Sequence, residues 1–245
     1  MTELSELIHR RKTTRSFSME PVAEAALQQI RDFIPRCRPL VPGIRVRAEV
    51  IGIDSVRCIL PWKTPHYVAI FTEDTPLALE NVGFIFQQLE LFIQSLGLGT
   101  CWLGMGRLDP RGSDAPQEAD GLQFAIMIAF GRPKGTLFRS GTAEFRRKAL
   151  HEISDQPDTR LEPARLAPSS VNSQPWFFLH DGDDIHAFCA LQGILSKSVL
   201  GKMNRIDMGI ALAHLYLSYP ESFQFFSAAQ PPAKKGYSYI GSIRL

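Results

Sequence analysis

Apolar positions along this chain switch between helical and strand periodicity, and the switches outline its elements. From Asn81 to Leu96, Val82, Ile85, Phe86, Leu89, Phe92, Ile93 and Leu96 recur at helical spacing, while Phe84 and Leu91 fall off that stripe. A helix apolar on more than one face is buried on most sides. Gly97-Leu98-Gly99 then supplies a C-terminal cap. Upstream, the pattern predicts a short helix over Ser5 to Arg11 and a second from about Val22 to Phe33, with Pro21 suited to a first helical turn. Residues 35–43 hold Pro35, Pro39, Pro42 and Gly43 and read as a loop. Val46 to Val50 alternates as a half-buried strand; Tyr67 to Phe71 and Phe124 to Phe130 are continuously apolar, as strands covered on both faces are.

The second part of the chain repeats this order. A helix over Leu161 to Leu166, a loop from Ala167 to Pro175, strands around Trp176 to His180 and Ile185 to Cys189, and a further helix follow one another. That helix opens Asp207-Met208-Gly209-Ile210 and the earlier one Asn81-Val82-Gly83-Phe84, sharing [ND]-x-G-[FI]-x4-L-x-L. The match suggests a degenerate internal duplication in which Gly83 and Gly209 mark a close helix crossing. The basic, apolar-poor segment 132–148 is the natural crossover, dividing the chain into 1–148 and 149–245.

Composition narrows the function classes. With 245 residues and 44% hydrophobic content the chain can bury a sizeable core. The balance of 27 Lys+Arg against 25 Asp+Glu provides no global field for nucleic acid or an anionic membrane, so any anion site must be local. No apolar run has bilayer-spanning length and the N-terminus has no signal-peptide core, which makes a cytoplasmic location the expectation. Cys37, Cys58, Cys101 and Cys189 lack paired spacing and read as free, mostly buried thiols. The six histidines show neither HxxxH nor HExxH, so hydrolytic and metal chemistry have little support.

Two stretches carry chemistry. Arg10 to Phe17 interleaves cations with hydroxyls beyond a short helix, the combination of charge and directional donors that a phosphate monoester needs; a solvated helix end would look the same. Ala167-Pro168-Ser169-Ser170-Val171-Asn172-Ser173-Gln174-Pro175-Trp176 packs prolines, hydroxyls, carboxamides and a tryptophan between helix and strand. Such a loop presents fixed polar groups to the edge of a heteroaromatic ring, although turn composition alone would permit it.

Pro168 to Trp176 resembles the PSxxNxQPW loop of the nitroreductase family, and Arg11-Lys12-Thr13-Thr14-Arg15-x-Phe17 its RRSxRxF phosphate motif. Residues 97–104 are similar to the family's GLGTCWxG segment, and Gly131-Arg132-Pro133 with Arg146 to Leu150 to its GxP turn and basic C-terminal strand. The resemblance implies an α+β nitroreductase-like fold, with mixed, mostly antiparallel sheets flanked by helices, and FMN as cofactor. The order departs from the family. The place after the second helix where the ring loop belongs reads Pro39 to Arg45, and residues 150–157, which begin the second half, lack the basic cluster. Family members are typically homodimers with the basic motif of one subunit facing the loop of the other. Each half of this chain keeps what the other lacks, so it resembles a fused, single-chain subgroup: a monomeric pseudo-dimer with one flavin site.

On that resemblance Arg11, Lys12 and Thr13 hold the FMN phosphate, closed by Arg147 and Arg146 from an interhalf strand. Arg15 stabilises the reduced flavin at the ring's pyrimidine edge; Pro168, Ser169, Ser170 and Asn172 meet the ring from the other half, and backbone groups of Leu103 and Gly104 approach its reactive side. Trp176 and Trp102 are assigned to packing. With no GxGxxG to hold a resident dinucleotide, NAD(P)H would be a transient donor to a nitro, quinone or similar small-molecule acceptor in a ping-pong cycle. The rival reading is a non-catalytic scaffold for FMN or another planar ligand. A third keeps the fold but changes the task, to dehalogenation, flavin breakdown or enoyl reduction.

Overall fold

The chain forms two four-stranded antiparallel sheets packed around two central helices. The structure is a computed structural model and describes residues 2–58, 61–191 and 199–245. The first part contains α1 (Thr2–Ile8), α2 (Glu24–Phe33), β1 (Val46–Gly52), β2 (Val56–Cys58), β3 (His66–Thr72), α3 (Ala78–Ser95), β4 (Gly99–Leu103), β5 (Gly106–Leu108) and β6 (Gln123–Gly131). The second contains α4 (Leu150–Ile153), α5 (Glu162–Arg165), β7 (Trp176–Asp181), β8 (Asp184–Ala190), α6 (Val199–Ser218), β9 (Gln224–Phe226) and β10 (Tyr237–Arg244).

One sheet has the order β1-β3-β6-β4 and the other β7-β8-β10-β9. In each, two strands precede a long helix and two follow it, with the last strand inserted beside the second. The duplication read from the helix motif is therefore a duplication of topology. β3 shows why its sequence is continuously apolar. Val68 and Ile70 belong to the larger core, while Tyr67, Ala69 and Phe71 belong to a second cluster on the opposite face with Cys101, Leu103 and Met127.

The helix crossing is reciprocal. A Cβ on Gly83 would overlap the carbonyl oxygen of Ile206 and crowd Ile210 N; a Cβ on Gly209 would overlap the carbonyl oxygen of Glu80 and crowd Phe84 N. Glycine is required at both because the obstacle is backbone, which cannot rotate away. Polar positions on the two helices match as well. Asn81 Oδ1 on α3 accepts from Leu40 N (2.8 Å) and Val41 N (3.1 Å), and Asp207 Oδ2 on α6 accepts from Ser170 N (3.0 Å). Gln88 Nε2 donates to the Arg38 carbonyl (2.8 Å), and His214 Nδ1 pairs with the Pro163 carbonyl (2.9 Å). The loop at 39–43 and the loop at 168–172 thus occupy equivalent places, each pinned by its own half's long helix.

Some element boundaries differ from expectation. α3 starts at Ala78 and α6 at Val199, so Asn81 and Asp207 lie inside their helices instead of opening them. α1 spans Thr2–Ile8 and Arg11 N bonds to the Leu7 carbonyl (2.7 Å) in a closing turn. Residues 145–149 form no strand: the Arg146–Arg147 segment is held by side chains of the second half, not by a ladder. Strands β2, β4, β5, β9 and β10 have no counterpart in the periodicity reading.

Candidate functional site

The loop leading into β7 is held in a costly backbone conformation. Val171, Asn172 and Gln174 have φ of 47°, 57° and 47°, a left-handed region that residues other than glycine rarely occupy and that a β-branched valine especially disfavours. Side chains hold it there. Asp207 receives Ser170 N–H, Ser169 Oγ accepts from Gln174 N (2.9 Å), and Gln174 Oε1 accepts from Lys148 N (2.7 Å). Both ends of the Asn172 carboxamide are engaged: Oδ1 accepts from Arg147 Nη1 (2.6 Å) and Nδ2 donates to the Arg146 carbonyl (2.9 Å). The result is a rigid wall whose exposed tip is Val171, 83% accessible.

Opposite stands the segment after α1. Thr13 bridges in parallel to Thr100 of β4, with Thr14 N donating to the Thr100 carbonyl (2.8 Å), and Gly99 leaves room for the Thr14 side chain. Between segment and loop lies a cavity of about 520 Å³, within the range of small-molecule and cofactor sites. The first half contributes Thr13, Arg15, Trp62, Trp102 and Gly104 among others; the second contributes Pro168, Ser169, Ser170, Met203 and Asp207 among others. Arg15 lies over the Trp62 ring, 5.1 Å from its centroid. Met105, Val171 and Leu200, all exposed apolar side chains, line it too.

Below Thr13 lies a cluster of guanidinium groups. Arg11 is 1% exposed; its Nη2 donates to Glu90 Oε1 (2.9 Å) and to Thr13 Oγ1 (3.3 Å), while its buried Nε has no partner. Arg139 Nη1 donates to the Arg11 carbonyl, and Arg139 stacks on Phe145, 4.2 Å from the ring centroid. Arg147 donates to the carbonyls of Ala167 (3.0 Å) and Arg146 (3.3 Å) and to Asn172, with no carboxylate among these partners. Burial first, then the charges of Arg11, Arg139 and Arg165, pull its guanidinium down to about 10. Glu90 balances Arg11, but Arg147 has no carboxylate among these partners, and an anion at this place would supply that charge.

Glu90 centres a buried network. It accepts from Arg11, Thr100 Oγ1 (2.5 Å), Gln94 Nε2 (2.6 Å) and Gln87 Nε2 (2.8 Å); Gln87 in turn accepts from Trp102 Nε1 (3.1 Å) and meets His214 Nε2 (3.2 Å). The structure thus brings Thr13, Arg15, Gly104, Pro168, Ser169 and Ser170 together around one cavity. Lys12 points away to Thr136 Oγ1 (2.9 Å), Leu103 is 1% exposed in the smaller core, and Arg147 and Asn172 bond each other behind the loop. Trp176 is core, whereas Trp102, assigned to packing, also lines the cavity. Sequence reasoning missed Trp62, Met203, Asp207 and Arg139. Asp207 was visible in the shared helix motif, and Arg139 in the basic run at 132–148.

A family model described as "Putative TM nitroreductase" matches residues 3–219. A search of curated proteins finds no match. Among solved structures the chain is similar to a "putative nitroreductase" from Thermotoga maritima MSB8, with 18% identity and a TM-score of 0.62 over 98% of this chain and 92% of that one, a likeness of fold. A nitroreductase family protein from Clostridium difficile 630 gives 16% identity and a TM-score of 0.47 over 62% of this chain and 95% of that one. An FMN-dependent nitroreductase from Clostridium difficile R20291 gives 15% and 0.45 over 60% and 98%.

Proposed function

Since the chain belongs to the family described as "Putative TM nitroreductase", we propose that it is an FMN-dependent oxidoreductase that passes hydride from NAD(P)H to a nitro, quinone or similar acceptor, with one site per chain at the seam of its halves. The observation that carries the reading is the pairing of a seam cavity of flavin-compatible size with a guanidinium cluster behind Thr13 and Pro168 in which Arg147 has no carboxylate partner among its hydrogen bonds. The residues present fit the cofactor. The orphaned Arg11 Nε and the carboxylate-free Arg147 suit a phosphate monoester, with Thr13 as a hydroxyl donor and Arg139 as a further cation. Lys12 would reach the phosphate only by leaving Thr136.

Arg15 stands at the cavity where a cation would stabilise negative charge on a reduced ring. Pro168, Ser169 and Ser170 would present the rigid wall to the ring edge, and Asn172 would act through the loop that Arg147 fixes. Leu103 and Gly104 would contribute backbone groups from the end of β4. When bound, FMN would take a hydride from the nicotinamide and yield it to the acceptor, the two substrates using the same apolar mouth in turn. No described helix is long and apolar enough to cross a membrane, and a monomeric, cytoplasmic particle divided at 148/149 is part of the same reading.

The test is a visible spectrum followed by turnover. Purified protein should be yellow or become so with FMN, and should oxidise NAD(P)H steadily with a quinone or nitroaromatic. A protein that neither carries nor binds FMN contradicts the reading; one that binds it without oxidising NAD(P)H supports the scaffold instead.

A further inference from the structure

Among the described residues, Asp207 is the one carboxylic acid on the cavity wall, amid hydroxyl, cationic, thiol and apolar side chains. It is 4% exposed and lies on α6, behind the loop that forms the rigid wall. Its Oδ2 accepts from Ser170 N, and Ser170 N–H is the hydrogen bond that fixes its position. Among the described residues, no cation faces it closely enough to pair. On α3, Glu80 is engaged by Arg205 Nε and Nη2 (2.7 and 2.9 Å). On β8, Cys189 is a buried thiol, itself pushed up to about 12 by burial and the nearby acids. On α5, Glu162 and Arg165 pair with each other (2.5 Å); α1 carries the exposed Glu6, and the loop 167–174 has no titratable side chain. Arg15 and the thiol of Cys101 stand on the first half's wall of the cavity.

The duplicated fold provides an internal control. At the matching position of α3 the residue is Asn81, which pins its loop through two backbone N–H groups and is not among the residues lining the seam cavity. An amide therefore suffices to anchor the loop. Where this position lines the cavity, the residue is an acid.

Resting on the flavin reading above, we infer that Asp207 is the proton donor to the acceptor. A two-electron acceptor that takes hydride from the reduced flavin, which is thereby reoxidised, becomes an anion. The Asp207 O–H bond breaks and a new O–H bond forms on the acceptor, completing the dihydro product. The carboxylate left behind regains its proton from water. Burial holds this carboxyl protonated up to about pH 8, against the pull of the Ser170 N–H, so the acid is charged for donation at neutral pH.

The experiment compares wild type with Asp207→Asn, which keeps the Ser170 acceptor and, by the example of Asn81, the fold. First, infrared difference spectra of the purified protein across pH should show a protonated carboxyl band that titrates near about 8 in wild type and is missing in the variant. Absence of such a band in wild type overturns the inference, without reference to flavin. Second, in stopped-flow, prereduced wild-type enzyme mixed with p-benzoquinone should reoxidise more slowly as pH rises through about 8. The variant should be slower by about 100-fold and flat with pH, with FMN affinity and the rate of reduction by NAD(P)H retained. Equal rates and equal pH profiles for reoxidation overturn the inference. Failure to bind FMN overturns the flavin reading alone, and the infrared titration then decides the protonation of Asp207 separately.

Discussion

His214 and Gln88 occupy matching positions on the two central helices, yet they should respond differently to acid. His214 is fully buried, its Nδ1–H assigned to the Pro163 carbonyl because Nε2 must accept from Gln87. Burial drives its pKa from 6.5 down to about 3; the Pro163 carbonyl opposes this, and the charges of Arg11, Arg147 and His9 reinforce it. In the unfolded chain the ring protonates near its ordinary value. Stability present above 6.5 is therefore lost as pH falls toward about 3, by at most about 1.4 kcal/mol per pH unit for one proton. His214→Gln, copying the other half, should flatten that acid limb in urea unfolding between neutral pH and pH 4; an unchanged limb would contradict the assignment. Residue chemistry was legible where it is local. The Pro168 to Trp176 loop advertises its wall in nine consecutive residues, whereas the fate of the Arg11 side chain depends on Glu90, brought to it only by folding. Arg11 read as a phosphate ligand and is found ion-paired and 1% exposed, with one nitrogen left to offer.

At the scale of elements, the crossing of α3 and α6 holds the two halves in register. Gly209→Ala would set a methyl into the Glu80 carbonyl, and because backbone must move to receive it the variant should lose about 3 kcal/mol or more of unfolding free energy. Urea melts check this, and a loss near zero would mean that the helices can separate freely. Helices and interior strands were readable because their apolar periodicity is strong and self-contained. β9 is three residues long, and β10 carries a register shift between Tyr239 and Gly241 that breaks its alternation, so neither leaves a clean period-two pattern. β4 was hidden inside a motif read as a cap: Gly97, with φ of 80°, ends α3, and the strand begins two residues later. The missed beginning of α6 has the same kind of cause, since the shared motif marks where the helices cross and not where they start.

For the whole molecule, two halves of equal topology enclose unequal loops. The loop at 39–43 keeps its anchor on Asn81 and reaches positive φ at Gly43, while the loop at 168–172 holds Val171 and Asn172 in the left-handed region and faces Thr13 and Arg15 across the cavity. On the proposed reading, complementary decay of this kind leaves one flavin site per chain, shared between its own two halves. The central claim is most directly tested by titrating the purified protein with FMN while its mass is followed by light scattering. The account predicts saturation at one FMN per chain in a monomeric particle. Saturation at a different ratio, or binding that appears only when the chain dimerises, would contradict it.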